Sequence, residues 1–191
     1  GIIDVNMEVQ NTGKTFISMK QLPAQFEEFK GDKAKLAEAI GITEKDIDND
    51  LPVMYGSTGI WTLLIPIKKL DIFSKMKPEN KRFPEILTQK PRASVHPFCL
   101  ETYDKDADMH GRHFSSPFSG TVEDPVTGTA SGVMGAYYIS FIKSLDEKNI
   151  AVEQGQEIGK SGMIYVKVKK EYGNLNVEIK GEAVYAGEIF L

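Results

Sequence analysis

Cysteine is nearly absent: Cys99 is the single thiol in 191 residues. One thiol excludes a disulfide framework within the chain and any mechanism that uses two thiols, and so little cysteine fits a reducing cytoplasm. Long apolar runs are missing as well. None approaches the ~20 residues needed to cross a bilayer, and no basic-then-apolar leader opens the chain, so no membrane partner is expected. Neither sign of charge dominates. The 23 basic and 27 acidic side chains leave a net charge of -4, with no basic stripe that would serve nucleic acid. The first residue is Gly1 rather than Met and leads straight into strand-like "IIDVNMEVQ", which reads as a tag remnant, a processed product or a piece of something longer.

What is present is ordinary for a globular chain, 41% hydrophobic and 26% charged. "DVNMEVQ" alternates Val5, Met7 and Val9 with polar neighbours, "NTGK" is turn-like and "TFISMK" resumes the extended pattern, which predicts a hairpin over 2–20. Pro23 keeps "QLPAQFEEF" out of a central strand. "DKAKLAEAIG" reads as a helix with Asp32 as N-cap, Leu36, Ala39 and Ile40 on one face, and Gly41 where a left-handed C-terminal residue belongs. A second helical turn starts at Thr43. "PVMYGSTGIWTLLIPI" gives two strands around a "GSTG" kink, and "KLDIFSKM" a short helix with Leu70, Phe73 and Met76 at helical spacing. "SVHPFCLETY" and "MHGRHFS" are the next strands.

"ASGVMGAYYISFIKSL" has no charge between Ala130 and Ile142 and is apolar on every side. Such a helix must be buried on every side, which requires a sheet wrapped around it. "IAVEQG", "GMIYVKVKKEY" and "NLNVEIKGEAVYAGEIFL" supply three closing strands, the last two alternating around "YGN".

Most motif-like stretches fail on spacing. "NTGKT" lacks the glycine of a phosphate loop, since Glu8 stands five residues before the Gly-Lys step. "DKDADMHG" begins like a calcium loop but puts Met109 at the sixth position and Ser115 at the twelfth. His110 and His113 have no third ligand at metal-site spacing, so no metal is expected, and His96 reads as a packed strand residue. Ser116, Ser119 and Ser131 lack a nucleophile-elbow context, Cys99 reads as a small buried hydrophobe, and Trp61 reads as core.

"VEDPVTGTASG", residues 122–132, is different. Thr127 or Thr129 can cap the apolar helix, and Gly128 lets backbone approach a ligand closely. The first amides then face outward and favour a carboxylate or phosphate. Asp124 would share that site as a general acid or base. The same residues also make a sufficient N-cap and turn with no ligand, and the pattern alone leaves both readings open.

"EDPVTGTASG" ahead of an apolar helix resembles the E-D-P-A-T-G-S-A element of the PhzF-like (phenazine biosynthesis) family, relatives of diaminopimelate epimerase. "GRHFSSPFSGTVEDPVTGTASG", "VEQGQEIGKSGMIYVKV" and "VEIKGEAVYAGEIFL" resemble further segments of that family in the same order, from about Pro52 to Leu191. The resemblance implies an α/β (α+β) protein of two similar domains, each a mostly antiparallel sheet curled around a central helix, with the active site between them. Here it implies one complete domain, 21–180, whose central helix is 130–143, and part of a second, 1–20 with 181–191.

By resemblance, Asp124 matches the aspartate that assists proton transfer, and Thr129 matches a serine that holds the substrate carboxylate. Thr127 stands where the epimerases carry a catalytic Cys, and Ser57, Thr58 and Gly59 match a cleft-facing loop. The implied activity is a cofactor-independent isomerase of a small cyclic or amino-acid-like carboxylate. The family's principal acid/base glutamate and a histidine lie in an N-terminal third that has no counterpart here. The alternative is therefore a non-catalytic truncated paralogue that binds a ligand or a partner chain. An epimerase using Cys99 is a weaker third option, since Cys99 stands well before the motif. Apolar residues of the 2–20 hairpin are expected to need cover from a homodimer contact or a complementing N-terminal chain.

Overall fold

The computed structural model describes residues 3–188. Its strands are β1 (Val5–Val9), β2 (Thr15–Lys20), β3 (Gln25–Glu28), β4 (Met54–Ser57), β5 (Trp61–Pro66), β6 (Ser94–Cys99), β7 (Met109–Gly111), β8 (His113–Phe114), β9 (Glu123–Asp124), β10 (Glu147–Gln154), β11 (Gly162–Glu171) and β12 (Asn174–Ala183). Helices are α1 (Lys33–Ala39), α2 (Phe83–Ile86) and α3 (Gly128–Tyr137). The strands make one sheet in the order β1-β2-β12-β11-β10-β7-β6-β5-β4-β3, and β8 joins from β6 and carries β9. Pairing is antiparallel except between β5 and β6 and between β7 and β10. Among the described residues no helix is long and apolar enough to cross a membrane.

Local chemistry places most elements where the sequence predicts them. Asp32 Oδ1 accepts from the amides of Ala34 and Lys35 at 2.9 and 3.1 Å and starts α1, and Gly41 ends it at φ +79°. Asp46 Oδ2 accepts from both the amide and the hydroxyl of Thr43 at 2.8 Å, fixing the next turn. "KLDIFSKM" departs from the expected α-helix: Leu70–Lys75 winds as a tighter 3₁₀ helix that buries Ile72 and Phe73. The closing strand stops at Ala183 rather than running to the end, and Ile189, Phe190 and Leu191 lie outside the described residues, as does Ile2 of the expected hairpin.

The sheet separates two cores. On one face, α1, α2 and the 3₁₀ segment cover Tyr55, Leu63, Ile65, Val95 and Cys99. On the other, Leu64, Phe98, Met109, Val152, Val166, Val168 and Val177 surround α3, so that neighbours Leu63 and Leu64 serve opposite layers. Every residue of α3 from Ala130 to Tyr137 is buried, as its lack of charge requires. The helix is longer by two residues at its start than the expected 130–143, because Thr127 is the extended residue at φ −115°, ψ 105°. Beyond Tyr137 it relaxes into a wider π turn, Tyr138–Ile142.

Glycine decides how closely the sheet approaches this helix. A Cβ on Gly128 would stand 2.6 Å from Ile179 Cδ1, one on Gly132 3.1 Å from Ile179 Cγ2, and one on Gly135 2.7 Å from Val166 Cγ1. These three positions form one bare stripe against β11 and β12. At the far edge, β1 presents Val5, Met7 and Val9, exposed by 54%, 71% and 63%, and no described residue covers them.

The stripe gives a graded prediction. Gly135→Ala should lower the urea midpoint by the equivalent of about 1–3 kcal/mol, the usual range for overpacking. Gly181→Ala, where a Cβ meets only an ordinary contact at 3.6 Å, should change it far less. Equal losses would show that helix–sheet spacing does not limit stability.

Candidate active site

The 122–132 stretch enters α3 through β9, and three anchors hold it. Arg112 donates through Nε and Nη2 to both oxygens of Glu123 at 2.8 and 2.6 Å, while its Nη1 donates to the carbonyls of Phe73 and Met76. Asn80 Nδ2 donates to the carbonyls of Ser115 and Val122, both at 2.7 Å. From β10, Gln154 Nε2 donates to the Asp124 carbonyl at 2.7 Å and to Thr127 Oγ1 at 3.2 Å. Gly155 follows at φ +93°, where a side chain would strike the carbonyls of Lys160 and Pro125. The segment is therefore rigidly placed even though most of it is loop.

Thr127 does not cap α3 with its side chain, contrary to the sequence reading. Its hydroxyl donates instead to Asp124 Oδ2 at 2.6 Å, and its carbonyl accepts from the Ser131 amide and hydroxyl at 3.1 and 2.7 Å. The side chain is turned toward β9 and β10, donating to Asp124 and accepting from Gln154 Nε2, so its oxygen accepts from no first-turn amide. The amides of Gly128, Thr129 and Ala130 are left without an intrahelical acceptor, as at any helix start.

These groups border a cavity of about 320 Å³ lined by Ile60, Thr62, Arg92, Ser94, His113, Ser115, Ser116, Ser119, Thr121, Asp124, Thr127, Thr129 and Ala130. Ile60 and Thr129 also line an adjoining hollow of about 580 Å³, with Thr58, Gly59, Lys20 and Asn176. Asp124, Thr127 and Thr129 thus line the first cavity, and Thr58 and Gly59 line the second, with Thr129 bordering both. Thr58 reaches α3 directly, its hydroxyl donating to the Thr129 carbonyl at 3.1 Å. Ser57 lines neither space; it is buried and its hydroxyl accepts from the Gly59 amide at 3.1 Å, closing its own turn. Gly128 also lines neither, and its missing side chain faces Ile179, so packing rather than ligand approach explains the glycine.

Several lining residues were not singled out in the sequence. Ser94 donates to Thr62 Oγ1 at 2.8 Å, and Ser115 pairs with Thr121 through their hydroxyls at 2.9 Å. Ser94 starts β6 and Thr62 is the second residue of β5, positions where a polar residue looks unremarkable. The histidines separate. His110 Nδ1 lies 3.0 Å from Glu153 Oε1, and Glu153 also accepts from the amides of Tyr103 and Asp104, tying down the 103–104 loop. His113 instead meets His96, their Nδ1 atoms 3.1 Å apart. Among the described residues no set of three or more His, Cys, Asp or Glu side chains is gathered as a metal site. Cys99 lies in the outer core rather than in the cavity, and burial pushes its thiol up to about 12.

Comparison with known proteins identifies the family. A family model described as phenazine biosynthesis-like protein, PhzC-PhzF, matches residues 1–188. The chain belongs to this family. It is similar to the uncharacterized isomerase YfhB of Bacillus subtilis, at 50% identity over 97% of this chain and 63% of that protein. The crystal structure of the Bacillus anthracis phenazine biosynthesis protein, PhzF family, superposes with a TM-score of 0.93 at 50% identity, covering 98% of this chain and 64% of that one. Trans-2,3-dihydro-3-hydroxyanthranilate isomerase of Pseudomonas fluorescens is 23% identical over 98% of this chain and 63% of its own length. A predicted epimerase of Pseudomonas aeruginosa, 21% identical over 96% of this chain and 64% of that one, shares the fold at a TM-score of 0.70. The chain thus spans just under two thirds of the length of these four proteins.

Burial of His113 sets a pH dependence. Desolvation pushes its pKa down from 6.5 to about 4, against an opposing pull from Asp124. Between those values the unfolded chain binds a proton that the native ring refuses, so stability falls as pH drops from 6.5 toward 4. The loss amounts to about 3 kcal/mol at most. Urea midpoints measured from pH 7 to 4.5 should decline, and His113→Gln should flatten the decline. An unchanged slope would show that His113 is not buried as a neutral ring.

Proposed function

We propose that the intact protein is a cofactor-independent isomerase that moves a proton on a small carboxylate-bearing metabolite, cyclic or amino-acid-like. The observation that carries this reading is the placement of the Asp124 carboxylate beside the uncapped start of α3, in one cavity with Thr129. The substrate carboxylate accepts from the first-turn amides and the Thr129 hydroxyl, where the helix dipole favours negative charge. Asp124 then exchanges a proton with the substrate, its second oxygen held by Thr127 so that the reacting one keeps a fixed direction. The names of the relatives, isomerases in YfhB and in the Pseudomonas fluorescens enzyme, support the reaction class. The second of these acts on a cyclic amino carboxylate, which supports the substrate class.

A second acid or base completes such a reaction, and the family resemblance assigns it to a glutamate outside this chain. We accordingly place 21–180 in the C-terminal domain and 1–20 with 181–191 in the N-terminal one, with the cleft between them. The exposed apolar stripe of β1 supports further protein packed against it, from the rest of the chain or from a second copy.

Two measurements separate catalysis from binding alone. In the intact protein offered trans-2,3-dihydro-3-hydroxyanthranilate or cyclic amino acids in D₂O, solvent deuterium should enter the substrate, and Asp124→Asn should cut that rate by roughly 10²–10⁴-fold. Exchange unaffected by Asp124→Asn removes Asp124 from the chemistry, and exchange absent with every substrate leaves the binding reading. In the present chain, benzoate should perturb the amide resonances of Thr129 and Ala130, and Thr129→Val should weaken that binding several-fold.

A further inference from the structure

Behind Asp124, two buried imidazoles touch, and neither has a part in the chemistry above. The Nδ1 atoms of His96 and His113 are 3.1 Å apart, His96 is fully buried, and His113 is buried except where it borders the cavity. A contact of that length is a hydrogen bond, which one nitrogen donates and the other accepts. Burial holds both rings neutral, pushing His96 well below its ordinary value and His113 to about 4. A neutral imidazole has one N–H, so the pair has two arrangements. Either His96 Nδ1–H donates, which leaves a bare lone pair on His96 Nε2 and puts an N–H on His113 Nε2, or the roles reverse at all four nitrogens.

Two observations choose between them. His96 Nε2 is sealed in the interior with no hydrogen-bond partner, pressed against Gly111, where a Cβ would stand 3.0 Å away. An orphaned N–H there is less tolerated than an orphaned lone pair. The other concerns His113, which faces Asp124 directly across the β8–β9 pairing and feels the pull of its carboxylate. A neighbouring negative charge favours an N–H on the free nitrogen of His113 and disfavours a lone pair. With Nδ1 engaged by His96, Nε2 is the nitrogen that His113 offers to the cavity.

We propose that His96 locks His113 as a neutral Nε2–H donor into the cavity, where it binds an acceptor oxygen of the substrate other than its carboxylate. The substrate is then a hydroxy- or oxo-carboxylate: one end is held at the α3 start and the other by His113, with Asp124 between. His113 is the specificity-determining contact and His96 a positioning residue that acts through it. The substrate half of this proposal rests on the isomerase reading, whereas the tautomer half does not. A site built around a buried N–H rejects analogues lacking the matching oxygen, because the donor is then left unpaired.

Long-range ¹H–¹⁵N NMR of the unmodified chain at pH 7 tests the tautomers directly. The expected result is a proton on Nδ1 of His96 and on Nε2 of His113, and the reverse assignment overturns the proposal. For the contact, benzoate is titrated against 2-, 3- and 4-hydroxybenzoate. At least one hydroxybenzoate should bind roughly 10-fold more tightly than benzoate, an advantage lost in His113→Phe and largely kept in His113→Gln, whose amide still donates. In His96→Phe the His113 resonances should show both tautomers, with benzoate affinity unchanged. If benzoate binds in a Thr129-dependent way but no hydroxyl is preferred, the His113 contact falls and the carboxylate site stands. If no probe binds, the carboxylate site falls with the contact, and the tautomers are still decided by the first measurement.

Discussion

The structure depends on burying one helix that has no polar side to give to water. From Ala130 to Ile142 the sequence offers no charge, so α3 must be surrounded, and a curled sheet is the way a chain of this size surrounds it. The curl is tight only because Gly128, Gly132 and Gly135 present bare backbone to Ile179 and Val166. A Cβ at any of them would move the sheet away from the helix. The outer helices then cover the other face, through residues such as Leu63 that alternate with the inner layer.

A helix so enclosed can meet a ligand only at an end. At its start, the chain must emerge from the core through a short segment whose polar groups have to be satisfied. Arg112, Asn80 and Gln154 satisfy them from three separate elements. The same bonds immobilise Asp124. Rigidity of the motif is thus a consequence of burying its surroundings, and the Thr127 side chain is oriented toward Asp124 and Gln154 rather than toward the first-turn amides. Open first-turn amides beside an oriented carboxylate are what remain.

Much of the fold was legible in particular residues. Asp32 and Gly41 announced the two ends of α1, Thr43 the start of the next turn, and alternation in "GMIYVKVKKEY" announced β11. Leu70, Phe73 and Met76 marked a helical segment, but spacing alone does not distinguish a 3₁₀ winding from an α-helix. Asp124, Thr127 and Thr129 stood out because a turn-forming run before an apolar helix is conspicuous. Ser94, Thr62 and Ser115 did not, since a polar residue at a strand end is common and its partner lies far along the chain. Ser57 and Gly128 were legible as special, but their function in the fold is to close a turn and to admit a close contact.

The sequence by itself determined that an apolar helix would be wrapped by strands and that its start would carry Asp124 and two threonines, because periodicity and turn chemistry are local properties. Only the tertiary structure decided which hydroxyl meets which carboxylate, and that His113 would turn from a metal-like spacing toward His96. Those outcomes depend on contacts such as Gln154 with Asp124, thirty residues apart in sequence. Which of several possible partners a polar group takes is set by which one burial leaves within reach.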